Sequence, residues 1–148
     1  MLVGSGPEER SLRQQVEGLG MAGRVVFTGF VEHVLVPDYL AAADLLLFAS
    51  RSEVQPLSAL EAMAAGLPAV AVTCLATEEL LTTGVDSILT DRDEPAFAAA
   101  VVRVLGDGRL RASLGEQART TSQGYSVDAT ASKLEPAYRR LLDGYAVG

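Results

Sequence analysis

The densest run of chemistry-bearing residues is Ser50-Arg51-Ser52-Glu53-Val54-Gln55-Pro56-Leu57-Ser58-Ala59-Leu60-Glu61, continuing through Ala62-Met63-Ala64-Ala65-Gly66-Leu67-Pro68. Glu53 and Glu61 have seven residues between them. Glu53 falls in a loop after an apolar run, and Glu61 falls inside the helix that Pro56 opens. Both can face one crevice, with the helix start between them. A carboxylate accepts hydrogen bonds through two oxygens, which suits the paired hydroxyls of a sugar. The free amides at a helix N-terminus favour a diphosphate. One loop and one helix would then hold the ribose, phosphates and hexose of a nucleotide sugar. Spacing alone leaves a second explanation open: a solvated charge pair in favourable contact with a helix dipole.

The elements that must position these residues alternate short β-type runs with amphipathic helices. Met1–Val3 reads as a strand end, broken by Gly4-Ser5-Gly6-Pro7. Glu8–Gly20 carries Leu12, Val16 and Leu19 at helical spacing. Arg24–Thr28 is a β-branched run ending at Gly29, and Pro37–Ala43 is a short helix. Leu45–Ala49 is a continuous apolar run, the pattern of a strand buried on both faces. A helix follows from Pro56 to Ala65 and stops at Gly66, with Pro68 just beyond. Ala69–Val72 is a strand, Thr77–Leu81 a short helix closed near Gly84, and Ser87–Thr90 a further strand. Three helices end the chain, over Glu94–Leu105, Arg109–Thr120 and Val127–Leu142.

Strand–helix units in series predict an α/β fold, a Rossmann-like doubly wound parallel sheet, here with a helical C-terminal tail. Ligands of such sheets lie beyond the carboxyl ends of the strands. The loops that count are therefore Gly4–Pro7, Gly29–Val36, Ser50–Pro56 and Thr73–Thr77. No repeat, linker or second domain is visible, so residues 1–148 read as one domain. The chain opens almost directly on a strand, where an intact doubly wound domain carries an earlier strand and its phosphate loop. The expectation is a domain incomplete at its N-terminus.

Composition narrows the function classes. The 148 residues are 49% hydrophobic and carry a net charge of -7. A chain of this size can bury about 68–70% of its unfolded surface. Lys133 is the only lysine, and no Lys/Arg run marks a nucleic-acid patch. A phosphorylated ligand would have to be held by local dipoles and a few placed cations. Cys74 and His33 are each the only residue of their type. That argues against a disulfide within the chain, a His/Cys metal site, and any triad that does not use His33. No basic leader and no membrane-length apolar run appears, and the expected location is cytoplasmic. His33 reads as a solvated loop residue, Cys74 as a packing residue and Arg51 as surface, although each lies near a loop that counts.

The run from Ser52-Glu53 through Ala71 resembles the E-x7-E string of the retaining glycosyltransferases of the group 1 (family four) type, which have the two-domain GT-B fold. Other blocks match in the same order: Leu2-Val3-Gly4-Ser5-Gly6-Pro7, Arg24–Val31, Tyr39–Asp44 and Gln123–Val127. The resemblance covers nearly the whole chain and places it in the C-terminal, donor-binding domain. It implies hexose transfer from a UDP- or GDP-linked sugar with retention of anomeric configuration, without a cofactor or metal. It implies that Glu53 contacts sugar hydroxyls as the catalytic-site glutamate and that Glu61 holds the ribose. The amides of Leu57 and Ser58 would meet the diphosphate, and Phe30 and Val31 would line the base.

The resemblance further implies an acceptor domain upstream, and it allows peripheral membrane association of the parent protein. Three departures stand out. Pro56 replaces a glycine and removes a backbone donor near the phosphates. Gln55 occupies a position that is often Phe and sometimes Gln. The stretch Thr73–Glu79 lacks paired glycines, although Glu79 keeps a glutamate position. The family's upstream arginine and lysine clamp has no counterpart in these residues. The isolated chain is therefore expected to be inactive, either a donor-binding part of an enzyme or a non-catalytic nucleotide-sugar-binding or interaction module. An open sheet edge would favour a homodimer.

Overall fold

The computed structural model describes residues 1–145. Backbone contacts divide the chain into two compact units, Met1–Tyr39 and Leu40–Gly148. In the first, α1 spans Glu9–Gly18, and Arg13 pairs with Glu9 one turn earlier at 2.7 Å. The Arg13 guanidinium also lies 4.3 Å from the centre of the Phe27 ring. The expected strands Met1–Val3 and Arg24–Thr28 are reduced to single bridges, Leu2 to Phe27 in parallel and Gly4 to Gly29 antiparallel. No residue of 1–39 is buried, so little apolar packing supports a longer ladder there. A 3₁₀ turn at His33–Leu35 leads into α2, Val36–Ala41.

The second unit holds a parallel sheet in the order β1 (Leu46–Phe48), β2 (Ala69–Val72), β3 (Ser87–Thr90). Leu46 pairs with Ala69, and Ala69 with Ser87, so the three carboxyl ends lie along one rim. The central strand is buried at all four positions. Its side chains alternate, as a pleated strand requires. Ala69 and Ala71 join Phe48, Ala59, Met63 and Leu80 in one cluster, while Val70 joins Ala100, Val104 and Leu114 in another. Helices on both faces therefore seal β2.

β1 departs from the expected strand buried on both faces. Phe48 is buried, but Leu47 is 54% exposed. The reason is topological: β1 is the edge of this sheet, paired only with β2. A run of apolar residues reports that a strand is apolar, not that both of its faces are covered.

Helix α3 spans Leu57–Ala65 and ends on Gly66 in the left-handed conformation, φ +81°. Its packing face is made of small residues and one long one, Ala59, Ala62 and Met63, all fully buried. Helix α4 spans Leu75–Leu80, starting two residues earlier than its sequence pattern indicates. Helices α5 (Glu94–Gly106), α6 (Gly108–Gln123) and α7 (Val127–Tyr145) follow. Asp93 and Asp107 cap α5 and α6 by accepting from backbone amides two or three residues on. None of the described helices is long and apolar enough to cross a membrane.

Candidate donor-binding site

The rim at the carboxyl ends of β1–β3 is built from the loop Ala49–Pro56, the turn Thr73–Cys74 and the segment Asp91–Arg92. Backbone geometry fixes the first of these. Pro56 has φ -80° and ψ 76°, and Leu57 N–H donates to Gln55 O at 2.9 Å across it. These are the marks of an inverse γ-turn. Pro56 is therefore not the first residue of α3 but the residue before it. Its carbonyl accepts from both Ala59 N–H and Leu60 N–H.

That accounting bears on anion binding. A helix leaves its first amides without intrahelical partners. Here Leu57, Ala59 and Leu60 already donate to nearby carbonyls. Among the described residues, Ser58 alone of the first four donates its N–H to no protein acceptor. Of the two amides expected to meet a diphosphate, Ser58 is available and Leu57 is engaged within the turn.

The carboxylates lie on either side of this helix start in sequence. Glu53 is exposed in the loop, and Glu61 is half-buried in α3. Glu61 is four residues past Leu57, about 6 Å along the helix. Ser58 and Leu57 are exposed as well, the latter at 59%. Phe30 and Val31 belong to the first unit, where Phe30 is exposed and Val31 half-buried, directly after the positive-φ Gly29. The Gly4–Gly29 pairing brings the turns that follow both residues to one end of that unit.

Side chains rather than glycines shape the turn after β2. Thr77 is fully buried, and its Oγ1 accepts from Cys74 N–H at 2.8 Å. The same hydroxyl lies 3.0 Å from Val72 O and 2.9 Å from Cys74 O, either of which can accept its proton. This capping box starts α4 at Leu75. The Thr77 hydroxyl and amide, with smaller contributions from Ala76 N–H and Arg92, hold the Cys74 thiol below its ordinary pKa, against the opposing effect of burial. Arg92 reaches across the rim and donates to Arg51 O at 3.3 Å. It is a cation at the rim that the sequence pattern did not single out, although its place two residues after β3 marks it.

Beside the loop lies a cavity of about 280 Å³ whose walls include Gln55, Pro56, Leu60, Glu79, Leu80 and Tyr125. Tyr125 enters from the turn between α6 and α7, far away in sequence, and its hydroxyl lies 3.3 Å from Glu79 O. Among the described residues no group of three or more His, Cys, Asp or Glu could hold a metal ion.

Residues 1–107 match the sequence profile of the family described as Glycosyl transferases group 1. The chain belongs to that family. Among curated relatives, it is similar to the 2-deoxystreptamine N-acetyl-D-glucosaminyltransferase of Streptomyces fradiae, at 33% identity over 99% of this chain and 35% of that protein. Among solved structures it is similar to sucrose-phosphate synthase from Thermosynechococcus elongatus, with a TM-score of 0.85, 28% identity, and coverage of 97% of this chain and 38% of that one. It is also similar to Anabaena HepE, solved with UDP and glucose, with a TM-score of 0.83, 28% identity, and coverage of 94% and 40%. The fold is the Rossmann-like C-terminal domain of the GT-B architecture. The chain spans less than half the length of each of these relatives.

Proposed function

We propose that this group 1 chain is the donor-binding part of a retaining hexosyltransferase and holds a UDP- or GDP-linked sugar on the rim of its parallel sheet. The observation that carries the proposal is the helix start itself. In chain order, one free amide at Ser58 stands between an exposed loop carboxylate, Glu53, and a half-buried helix carboxylate, Glu61. A diphosphate fits the amide and the positive end of α3. Glu61 then takes the ribose hydroxyls and Glu53 the sugar hydroxyls, each through two carboxylate oxygens. By the family resemblance, Phe30 and Val31 of the first unit are assigned to the base. Hexose transfer proceeds with retention and without a metal or cofactor. That HepE, similar over most of this chain, was solved with UDP and glucose supports the choice of ligand class.

The acceptor is held by chain beyond these residues, because relatives of this length ratio carry more than half of their sequence elsewhere. The 148 residues bind donor but do not transfer it. One observation favours a second reading, a binding module without chemistry. The Pro56 turn already engages the Leu57 amide, so the phosphate cradle has fewer donors than a glycine loop would offer.

Calorimetric titration of the chain with UDP and with GDP tests the proposal. The expected result is saturable binding of one of the two, weakened at least about tenfold by Glu61→Ala, as loss of a charged hydrogen-bond acceptor predicts. Wild-type chain that binds neither nucleotide would overturn the donor site on these residues.

A further inference from the structure

Glu53 sits in a stretch of chain that little holds. Among the described residues, the backbone of 50–54 makes no hydrogen bond to any other backbone group. Its tie to the rest of the fold is Arg92, whose guanidinium donates to Arg51 O at 3.3 Å. Arg51 is two residues before Glu53, and the γ-turn at Pro56 begins two residues after it, at Gln55. Glu53 therefore stands between two fixed points. Local backbone geometry makes one, and a side chain 41 residues away in the chain makes the other.

Arg92 springs from a rigid base. Thr73 clamps the end of β3, since its N–H and its Oγ1 both donate to Thr90 O, at 2.8 and 2.9 Å. Asp93 N–H donates to Asp91 O at 2.8 Å across Arg92, and the Asp93 carboxylate caps α5 by accepting from Ala96 N–H at 2.8 Å. The Arg92 backbone is thus pinned on both sides. β1 and β3 stand on either side of β2, so their carboxyl ends are about 10 Å apart. Crossing that gap takes a long side chain, and a guanidinium ends in a rigid fork of N–H donors suited to a backbone carbonyl. The Cys74 thiol at the end of β2, lowered in pKa chiefly by Thr77, also feels the Arg92 charge. The guanidinium is therefore within electrostatic reach of the middle of the rim.

We infer that Arg92 is a positioning residue: it tethers the loop after β1 through Arg51 O and so sets where Glu53 meets the donor. The role rests on the donor-site reading above, which leaves Arg92 unused. A loop ordered before the ligand arrives loses less freedom on binding. The gain falls on the part of the donor that Glu53 reads, the sugar, more than on the nucleotide. Arg92 acts through the loop, not by touching the ligand.

NMR relaxation of the backbone amides at 50–54 reads the tether without any ligand. Arg92→Ala should lower the order parameters there toward the flexible range, below about 0.6, with those of the sheet unchanged. Arg92→Lys keeps a donor on a long side chain and should restore most of the order. Calorimetry with UDP, GDP, UDP-glucose, UDP-N-acetylglucosamine and GDP-mannose reads the consequence. For the conjugate that wild type binds, Arg92→Ala should weaken binding about 2- to 10-fold, the range for one net hydrogen bond, and should weaken the bare nucleotide less. In a Glu53→Ala chain the same substitution should change conjugate affinity far less, because coupled residues are not additive. Arg92 is exposed, so its replacement removes no buried side chain. Loop amides equally mobile in wild type and Arg92→Ala would overturn the tether while leaving the donor site standing. So would an Arg92→Ala loss shared equally by conjugate and bare nucleotide. Wild-type chain that binds no nucleotide would remove the donor site, and with it the role of Arg92.

Discussion

Single residues on the rim are held by bonds that the sequence pattern did not reveal. Thr77 is the clearest case, a fully buried hydroxyl serving both the strand end at Val72 and the cap of α4. Thr77→Val keeps the shape but leaves Cys74 N–H without its acceptor. We expect a loss of about 1–3 kcal/mol in urea unfolding. The same substitution removes the largest influence that lowers the Cys74 pKa. Alkylation by iodoacetamide followed against pH should show the wild-type thiol ionising below an ordinary cysteine, and the Thr77→Val thiol shifting upward. The sign for stability follows from linkage. Below both pKa values the thiol is neutral in folded and unfolded chains, and it contributes nothing. As pH rises through the folded value, the folded chain ionises first, so the contribution grows until the unfolded thiol also ionises.

Between elements, the tightest fit joins the end of α3 to α6. A Cβ built on Gly115 would overlap the carbonyl of Gly66, and one on Gly66 would meet the Arg119 guanidinium at 2.8 Å. Arg119 also donates to Ala65 O at 2.9 Å, satisfying one of the carbonyls left open at the end of α3. The helix that carries Glu61 is therefore anchored at its far end by a helix distant in sequence. Gly115→Ala should force the two helices apart at a cost of about 1–3 kcal/mol, the usual range for overpacking. A lowered thermal midpoint measures it, and an unchanged midpoint would mean that the contact yields freely. Nothing in the local sequence around Gly115 signals this role, because a glycine inside a helix has no visible purpose until its neighbour is placed.

At the scale of the whole molecule, the end strand β1 of the second unit's sheet is the feature with consequences. Leu47 is half-exposed on a strand paired on one side only. Such an edge offers a free row of backbone donors and acceptors together with apolar side chains. We expect the 148-residue chain to self-associate at high concentration, and Leu47→Lys to suppress that association. Multi-angle light scattering across a concentration series would show it; a wild-type chain that stays monomeric throughout would sink the idea.

Periodicity and punctuation in the sequence determined the element order of the second unit. β2 and β3 fall at Ala69–Val72 and Ser87–Thr90, where strands were expected, and α3 ends at the glycine that alone among common residues takes a positive φ without strain. The ordered motifs around Glu53 and Glu61 likewise determined the family. What only the tertiary structure decided is who covers whom. Leu45–Ala49 reads as a fully buried strand, yet an apolar run cannot say whether a neighbour exists on each side. The short runs at Met1–Val3 and Arg24–Thr28 read as strands, yet ladder length depends on packing that none of residues 1–39 provides by burial. Pro56 reads as a helix start, but its ψ of 76° closes a γ-turn and engages the Leu57 amide. Tyr125 became part of the cavity because the turn after α6 brings it to Glu79, 46 residues away in the chain. Local sequence encodes local dihedral and hydropathy preferences, whereas burial, free hydrogen-bond donors and cavity walls come from contacts between segments far apart in the chain.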